Sequence, residues 1–248
     1  MKICVVTGAN SGIGKAAAEK LLRKGCKVYC VGGPEGFPGD GETEENSRGI
    51  AVRLCCDLRN DGEIKRVIGA VEENGVDVLV NAAGVAFYGV SESIRPSDIA
   101  DMVDVNVKAP LVITSAIMPK IRQNRGTIIN ISSVTALSCA NPRGAAYGAT
   151  KAALTSFGRS LFEEVRKQGV RVINIHPDLT DTKLYRNADF TVTGDFESTL
   201  FSEDVAEWAV NALEARDGMC VNEITLRPQK NIIVKKEKDR KLTGPGIN

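Results

Sequence analysis

The chain has 248 residues, of which 43% are hydrophobic and 25% are charged, and its formal net charge is +1. That length suits one large α/β domain or two small ones, and the near-neutral charge excludes a long-range field that would attract nucleic acid or an anionic membrane. The seven cysteines show no C-x-x-C pair and no metal-ligand spacing. No run reaches the ~18 apolar residues that span a bilayer. We therefore predict a cytoplasmic protein from a reducing compartment, without a metal, nucleic-acid or membrane partner.

Short β-rich runs alternate with longer helical runs along most of the chain. The runs that predict strands are, in order, KICVVT, KVYCVG, AVRLCC, VDVLVNAAG, GTIINISS, VRVINIHP and VNEITLRP. Predicted helices lie between them at about 12–24, 61–74 and 97–118, in the alanine-rich run that begins AAYGATKAAL, and at 204–216. Near-continuous apolar strands joined by helices indicate a parallel sheet covered on both faces. The prediction is a single doubly wound, Rossmann-type α/β domain over residues 1–228, with a seven-stranded parallel sheet.

Two segments interrupt this alternation. Residues 32–49, GGPEGFPGDGETEENSRG, are too rich in Gly and Pro for the crossover helix expected there, which favours a solvated loop over a functional flap. The C-terminal tail, residues 229–248, carries six basic and two acidic residues. We expect a solvated or disordered end, with a partner or nucleic-acid contact as the alternative.

A glycine-rich turn follows the first predicted strand. VVTGANSGIG places Gly8, Gly12 and Gly14 between that strand and the first helix. Glycines there allow a tight turn and a close approach of backbone to a pyrophosphate, and the helix N-terminus supplies N–H donors. The position after an N-terminal strand and before an apolar helix predicts dinucleotide binding, with a purely structural turn as the alternative.

A tyrosine and a lysine stand four residues apart in the run AAYGATKAAL. On a helix, Tyr147 and Lys151 share one face. A nearby ammonium lowers the pKa of a phenol, which is ordinarily near ~10, so the pair is typical of an acid/base group with an electrostatic partner. A satisfied structural pair is the alternative.

These motifs, with NAAG at 81–84 and ISS at 131–133, resemble those of the short-chain dehydrogenase/reductase family, and the resemblance runs from Lys2 to about Pro228. The ending VNEITLRP looks like that of the family's small NADP-dependent aldehyde and ketone reductases. The resemblance implies an oxidoreductase that transfers a hydride between a nicotinamide cofactor and a carbonyl or alcohol substrate. The alternative is a redox sensor or scaffold that binds the cofactor without turnover.

The resemblance also implies roles for individual residues. Tyr147 is the expected acid/base, and Lys151 is its electrostatic partner and holds the nicotinamide ribose. Ser133 is expected to donate a hydrogen bond to the substrate oxygen, with Ser132 as the competing candidate. Asn106 matches the family Asn that holds a proton-relay water, and the alternative is an Asn that bonds helix backbone. A homo-tetramer or homo-dimer is the expected assembly.

The expected cofactor is NADP, with NAD left open. In NAD enzymes an acidic residue at the end of the second strand bonds the adenosine ribose, whereas Gly32 stands there in this chain. The residues expected at the cofactor are Gly8, Asn10, Ser11, Gly12, Ile13, Gly14, Gly32, Asp57, Leu58, Asn81, Ala82, Ala83, Gly84, Tyr147, Lys151, Pro177, Thr180 and Thr182.

One departure from the family pattern lies beside the expected nicotinamide. The family usually has Pro-Gly after the sixth strand, whereas Pro177 is followed by Asp178. We expect residues 178–202 to form the loop that selects the substrate. His176, the only histidine, is expected to be structural, and Arg143 is expected at the solvated surface, with contact to an acidic substrate as the alternative.

Overall fold

The computed structural model describes residues 1–38, 49–71, 75–138 and 140–236. Within these ranges the strands are β1 (Ile3–Thr7), β2 (Lys27–Gly32), β3 (Ile50–Cys55), β4 (Val78–Asn81), β5 (Thr127–Ile131), β6 (Arg171–Pro177), β7 (Phe190–Val192), β8 (Glu223–Leu226) and β9 (Ile233–Lys235). Seven of them form one parallel sheet in the order β3-β2-β1-β4-β5-β6-β8, which confirms the predicted fold class. The strand order reverses between β1 and β4, and in open sheets of this kind ligands bind outside the strands' carboxyl ends at that point.

Six helices cover the sheet in the described ranges. They are α1 (Gly12–Arg23), α2 (Asp61–Ala70), α3 (Pro96–Val103), α4 (Ala109–Gln123), α5 (Ala145–Val165) and α6 (Ser202–Asn211). The helix predicted at 97–118 is in fact α3 and α4, separated by a π-helical segment, Asp104–Lys108. Pro110 explains the irregularity, because its ring nitrogen carries no hydrogen for a regular i→i−4 bond. None of the described helices combines the length and the apolar character needed to cross a bilayer.

Alternate residues of each strand enter two separate cores, as the period of two requires. Residues such as Val5 and Ile128 pack on the side that holds Ile117 of α4 and Leu161 of α5. Their neighbours along the strands pack on the other side, against α1 and α6. Each fully buried aliphatic side chain contributes about 1.5–3 kcal/mol, so both faces of the sheet are held by helix packing.

The described part of the Gly- and Pro-rich segment is only partly solvated, with Pro34 and Glu35 exposed and Phe37 and Pro38 buried. Phe37 is only 1% exposed and belongs to the core on the α1 side of the sheet. A Cβ on Gly36 would lie 2.5 Å from the Asn10 carbonyl oxygen, so this part of the segment packs closely on the glycine-rich turn. The rest of the predicted loop, residues 39–48, lies outside the described residues.

The described part of the C-terminal tail, residues 229–236, is exposed, as a solvated end would be, but it is ordered. Its residues Ile233–Lys235 form β9, which pairs antiparallel with β7 inside the expected substrate loop. The register pairs Phe190 with Lys235 and Val192 with Ile233. The first part of the tail is therefore ordered against the loop, and residues 237–248 lie outside the described ranges.

Three asparagines stand side by side in the middle of the sheet. Asn81 of β4, Asn130 of β5 and Asn174 of β6 occupy paired positions in register. Asn81 Nδ2 donates to Asn130 Oδ1 over 2.9 Å, and Asn130 Nδ2 donates to Asn174 Oδ1 over 3.1 Å. We call these residues the asparagine ladder. Gly158 of α5 lies directly over it, and a Cβ at Gly158 would come within 2.1 Å of Asn174 Oδ1. The missing side chain lets α5 lie close to β5 and β6.

Candidate active site

A cleft of about 800 Å³ opens at the carboxyl ends of the strands. It extends from the glycine-rich turn after β1, past the loop after β4, to the N-terminal part of α5 and the 3-10 turn Lys183–Asn187. The predicted cofactor and catalytic residues that line it are Gly8, Asn10, Ser11, Gly12, Ile13, Gly32, Asp57, Leu58, Ala82, Ala83, Gly84, Ser133, Tyr147, Lys151, Pro177, Thr180 and Thr182. Residues from seven separate stretches of sequence thus meet at one cleft.

Three predicted site residues do not line the cleft. Gly14 lies behind the turn, where a Cβ would be 2.4 Å from the Gly8 carbonyl oxygen, so its role is close packing of α1 on the turn. Asn81 is 2% exposed and belongs to the asparagine ladder, where its Nδ2 also donates to Thr114 Oγ1. Asn106 is fully buried below the loop after β4.

The glycine-rich turn fits a dinucleotide. Gly8 has φ +69°, and a Cβ on it would lie 2.8 Å from the Ala83 Cα, so both its conformation and its surroundings require glycine. Ser11 is the N-cap of α1 but makes no side-chain capping hydrogen bond. The first N–H groups of α1 are therefore available to an anion such as a pyrophosphate.

The wall near the end of β2 carries no acidic side chain at Gly32 or Gly33. A Cβ on Gly32 would lie 2.3 Å from Asn10 Oδ1, so a larger residue there would require the Asn10 side chain to move. Asp57 lines this wall, but Arg59 holds its carboxylate with bonds of 2.9 and 2.7 Å. The same guanidinium lowers the pKa of Asp57. The adenine contact expected of Asp57 is therefore in competition with an ion pair.

Sequence reasoning missed several residues at this wall. Cys55 ends β3 and Cys56 follows it, both line the cleft, and Arg66 and Glu63 reach it from α2. Arg66 Nη2 donates to the Cys55 carbonyl oxygen over 2.7 Å and lies 3.8 Å from a Glu63 oxygen. No motif marks these positions, although the first turn of a helix after a strand of a parallel sheet is a regular place for cleft residues.

Tyr147 and Lys151 lie side by side on α5, each only 3% exposed. Lys151 Nζ is 5.9 Å from the centroid of the Tyr147 ring and donates to the Ile131 carbonyl oxygen over 2.9 Å. Burial raises the pKa of Tyr147 above its ordinary value, with Tyr185 adding to the shift and Ser133 opposing it. Burial lowers the pKa of Lys151 to about 8. Desolvation thus dominates the pKa of Tyr147, and the expected lowering by Lys151 is not among the causes of the shift.

The two serines after β5 have different partners. The Ser132 hydroxyl lies 3.1 Å from the Lys151 carbonyl oxygen and 2.7 Å from Thr155 Oγ1, both within α5. Ser133 Oγ accepts the Thr135 N–H over 3.2 Å, which leaves the Ser133 hydroxyl hydrogen free to donate. Because that hydroxyl also acts on the pKa of Tyr147, Ser133 is the serine beside the phenol, and Ser132 ties β5 to α5.

Asn106 lies in the π-helical segment and holds the loop after β4. Its Nδ2 donates to the Val85 carbonyl oxygen over 2.8 Å and to Thr150 Oγ1 over 3.0 Å, and its Oδ1 accepts the Val85 N–H over 2.9 Å. The side-chain N–H groups are thus fully used. The backbone carbonyl of Asn106 lacks its regular i+4 donor, because residue 110 is Pro110.

The substrate side of the cleft is rich in aromatic rings. The Tyr88 ring lies 5.6 Å from that of Tyr147, 6.3 Å from that of Tyr185 and 5.2 Å from that of Phe190. Ring separations in this range are favourable contacts. Burial raises the pKa of Tyr88, so this phenol stays protonated. Tyr147 is therefore held in an aromatic cluster formed with the loop that is expected to select the substrate.

Asp178 and Arg143, the two charged residues singled out in the sequence analysis, both form ion pairs. Asp178 Oδ2 accepts from Arg227 Nη1 over 3.0 Å, and its Oδ1 caps the Leu179 N–H, so the departure from glycine joins the end of β6 to the end of β8. Arg143 pairs with Asp189 of the loop that is expected to select the substrate. Arg143 is therefore a surface residue whose guanidinium fixes the loop.

The two threonines of the loop differ in what their hydroxyls can offer. Thr180 Oγ1 donates to the Asp178 carbonyl oxygen over 2.8 Å, so its hydrogen is already used. Thr182 Oγ1 accepts the Leu184 N–H over 3.2 Å, which leaves its hydrogen free, and a Cβ on Gly12 would lie 3.2 Å from its methyl group. Thr182 is thus the better donor beside the glycine-rich turn.

His176 lies directly behind Ser133. The imidazole is fully buried, and its Nδ1 is 3.3 Å from the Ser133 carbonyl oxygen. Its Nε2 is 3.9 Å from Glu223, whose carboxylate is held by Arg159. Burial lowers the pKa of His176, so the ring is neutral near pH 7. The expected structural role therefore includes support of the serine's backbone.

The doubly wound sheet and the glycine-lined cleft at its switch point define a dinucleotide-binding α/β protein. A profile of the short chain dehydrogenase family matches residues 2–192. An uncharacterized oxidoreductase of Staphylococcus saprophyticus is 33% identical over 235 residues, which cover 92% of this chain and 97% of the relative. The chain belongs to the short-chain dehydrogenase/reductase family, and it is an NAD(P)-dependent oxidoreductase.

Solved structures agree in fold. An alcohol dehydrogenase from the archaeon Thermococcus sibiricus, complexed with 5-hydroxy-NADP, has a TM-score of 0.81 at 22% identity, covering 94% of this chain and 99% of that chain. The closed form of a serine dehydrogenase, complexed with NADP⁺, has a TM-score of 0.78 at 24% identity and covers 99% of both chains. Each likeness extends over nearly the whole α/β domain.

Proposed function

We propose that the protein transfers a hydride between a nicotinamide cofactor and a small carbonyl or alcohol compound, with Tyr147 as the acid/base. The observation that carries this proposal is the convergence of Ser133, Tyr147 and Lys151 on the wall of one cleft, which also contains the glycine-rich turn. A protein that only binds the cofactor does not need a proton donor, a second hydroxyl donor and an ammonium at the same place.

The cofactor supplies or accepts the hydride. In this proposal the turn at Gly8 and Gly12 and the N-terminus of α1 hold its pyrophosphate, since both offer N–H groups and space for close approach. Lys151 holds the nicotinamide ribose, and the free hydroxyl hydrogen of Thr182 serves the nicotinamide side. These assignments follow the family resemblance at positions that line the cleft.

The protein's own groups handle the oxygen of the substrate. The Ser133 hydroxyl donates to the carbonyl oxygen, because its acceptor side is already occupied by the Thr135 N–H. Tyr147 gives its phenolic proton to the same oxygen as negative charge develops there. The Lys151 ammonium then stabilises the phenolate that remains. In the reverse direction the same groups take a proton from an alcohol.

The proton on Tyr147 has to be replaced after each reduction. We assign the binding of the proton-relay water to the backbone carbonyl of Asn106. The side-chain N–H groups of Asn106 already bond to Val85 and Thr150, whereas its carbonyl lacks the regular i+4 donor because residue 110 is proline. A carbonyl without its helical partner is a ready acceptor for a water.

Burial suits Tyr147 to the role of the acid in carbonyl reduction. Since desolvation raises the pKa of Tyr147, the phenol carries its proton at neutral pH and acts as an acid without prior activation. Alcohol oxidation would require the ionised phenolate, which the buried position disfavours until positive charge is bound nearby.

We propose NADP as the preferred cofactor. The end of β2 has glycine at both 32 and 33, so neither position supplies a carboxylate that would repel a 2′-phosphate, and the Asp57 carboxylate nearby is paired with Arg59. Arg66 adds a guanidinium to the same wall. The NADP species bound in the Thermococcus alcohol dehydrogenase and in the serine dehydrogenase are consistent with this preference. A cytoplasmic location and a homo-dimer or homo-tetramer stay predictions.

The test is the variant Tyr147→Phe, followed by absorbance of NADPH and of NADH over a panel of aldehydes, ketones and diketones. We expect kcat to fall by about 10²–10⁴-fold while the Kd for NADPH is retained, because only the transferable proton is lost. The control is Tyr29→Phe, which removes a hydroxyl from another tyrosine that is 3% exposed, in β2.

Two outcomes would contradict the proposal. Turnover by Tyr147→Phe equal to that of the Tyr29→Phe control would remove Tyr147 as the acid/base. Tight NADPH binding by the wild type without turnover of any compound in the panel would support the redox sensor or scaffold instead.

A further inference from the structure

The C-terminal strap, defined as residues 230–236, lies across the substrate loop. We propose that this strap is part of the substrate side of the active site, and that Lys236 is a positioning residue for the turn that carries Tyr185. The expected effect on turnover rests on the proposed function. The contacts between the strap and the loop do not depend on that function.

The strap supplies the strand partner of β7. Phe190 pairs with Lys235, Thr191 with Val234 and Val192 with Ile233, and the Lys236 N–H donates to the Asp189 carbonyl oxygen over 2.9 Å. In the described ranges β9 is the one strand that pairs with β7. A two-stranded ribbon is marginal by itself, so without the strap β7 would lose the ladder that orders it.

The side chain of Lys236 fixes the neighbouring 3-10 turn. Its Nζ donates to the Tyr185 carbonyl oxygen over 2.6 Å and lies 3.3 Å from the Arg186 carbonyl oxygen. The Tyr185 carbonyl oxygen also accepts the Ala188 N–H over 3.0 Å, and the ammonium adds a strong charge-assisted donor from the strap. Lys236 therefore ties the turn Lys183–Asn187 to the strap.

That turn reaches the reacting tyrosine through two ring contacts. The Tyr185 ring lies 6.3 Å from Tyr88, which lies 5.6 Å from Tyr147. Phe190 of β7 contacts the same Tyr88 ring at 5.2 Å and the Tyr185 ring at 5.3 Å. Both elements that the strap holds thus carry an aromatic ring of the cluster around the proposed acid/base.

The other end of the strap is also anchored beside the cleft. The Lys230 N–H donates to the Glu197 carbonyl oxygen over 2.6 Å, and its ammonium pairs with the Glu197 carboxylate. Asn231 itself lines the cleft. In the described part of the chain, the hydrogen bonds of the strap go to residues between 185 and 197, and none goes to the glycine-rich turn. The strap should therefore act on the substrate and leave cofactor binding unchanged.

The test uses two shortened chains and one pair of point variants. A chain ending at Lys236 keeps the strap, whereas one ending at Pro228 lacks it. Lys236→Met removes the ammonium from the two carbonyls, and Lys235→Met removes an exposed neighbouring ammonium that makes no hydrogen bond or ion pair in the described ranges. Lys236→Arg restores a charged donor at the same place.

The first readout needs no substrate. Amide hydrogen exchange over residues 185–192 should be faster in Lys236→Met and in the chain ending at Pro228, and unchanged in Lys235→Met and in the chain ending at Lys236. This measurement decides the proposal even if the wild type turns over no carbonyl compound, so failure of the strap and failure of the proposed function are distinguishable.

The second readout uses 2,3-butanedione and benzaldehyde with NADPH. We expect kcat/KM for Lys236→Met to fall by about tenfold or more, mainly through KM, which is the scale of one charge-assisted hydrogen bond, with NADPH affinity unchanged and partial rescue by Lys236→Arg. The proposal would be overturned if Lys236→Met had the same hydrogen exchange and the same kcat/KM as the wild type. It would also be overturned if Lys235→Met lost as much kcat/KM as Lys236→Met. If the chain ending at Pro228 does not fold, the point variants decide.

Discussion

Replacing Gly158 with alanine is expected to destabilise the protein, although alanine is the better helix former. Gly158 lies within α5, over the asparagine ladder. An alanine Cβ there would lie 2.1 Å from Asn174 Oδ1 and 2.7 Å from Asn130 Nδ2. No real Cβ tolerates such distances, so either the amides separate or α5 moves away from the sheet.

The magnitude follows from opposing terms. Alanine gains about 1 kcal/mol over glycine from helix propensity. Overpacking of a buried site costs about 1–3 kcal/mol, and breaking a buried amide hydrogen bond costs about 1–3 kcal/mol more. The net expectation is a loss of about 1–5 kcal/mol in the free energy of unfolding. For a chain of this size each kcal/mol lowers Tm by about 2–4 °C.

Urea unfolding followed by circular dichroism measures this difference, and Gly69→Ala is the matched control. Gly69 also lies in a helix, α2, but a Cβ there would meet nothing within 4 Å. The Gly69→Ala substitution should therefore stabilise the protein by about 0.5–1 kcal/mol. Equal effects of the two substitutions would refute the packing argument. So would a Gly158→Ala/Asn174→Ala double variant that recovers none of the loss, since removing the Asn174 amide removes the closest clash.

Two further predictions concern the cofactor and pH. Gly33→Asp should lower the ratio of kcat/KM with NADPH to kcat/KM with NADH by about tenfold or more, because a carboxylate would face the 2′-phosphate. An unchanged ratio in steady-state kinetics would argue against placing the 2′-phosphate beside Gly33. For His176, burial lowers the folded-state pKa, so below about pH 6.5 the unfolded chain binds a proton more readily than the folded protein. The His176 contribution to stability is therefore complete above that pH and is lost as the pH falls. His176→Asn should reduce the slope of unfolding free energy against pH between about pH 5 and 6.5, whereas equal slopes would contradict the buried neutral imidazole.

The sheet and the cleft could be predicted from the sequence because their signals are local. Each strand is a short apolar run with turn residues on both sides, and each main motif follows a strand at its carboxyl end. A parallel sheet brings those ends to one edge, so Gly8, Gly84, Ser133 and Tyr147 had to meet once the fold class was known. Their meeting required no knowledge of the particular side-chain contacts.

What could not be predicted depends on contacts between distant segments. The three-residue strand β9 is surrounded by lysines, and its partner lies more than forty positions earlier, so the sequence resembles a solvated tail. Asn81 belongs to the NAAG motif, but it is paired in register with Asn130 of β5. Its side chain therefore joins the asparagine ladder and does not line the cleft. The effect of Lys151 on Tyr147 could not be judged either, because desolvation depends on how completely neighbouring elements cover both groups.

Because the chain has a single histidine, binding of compounds near His176 can be followed by NMR. One imidazole in a chain of 26.5 kDa gives one pair of ring-proton resonances, which can be followed by NMR without isotopic labelling or assignment. Since its Nδ1 lies 3.3 Å from the Ser133 carbonyl oxygen, those resonances should shift when a compound engages the Ser133 hydroxyl. Compounds that bind without reacting, which kinetic screens overlook, would be detected by the same signal.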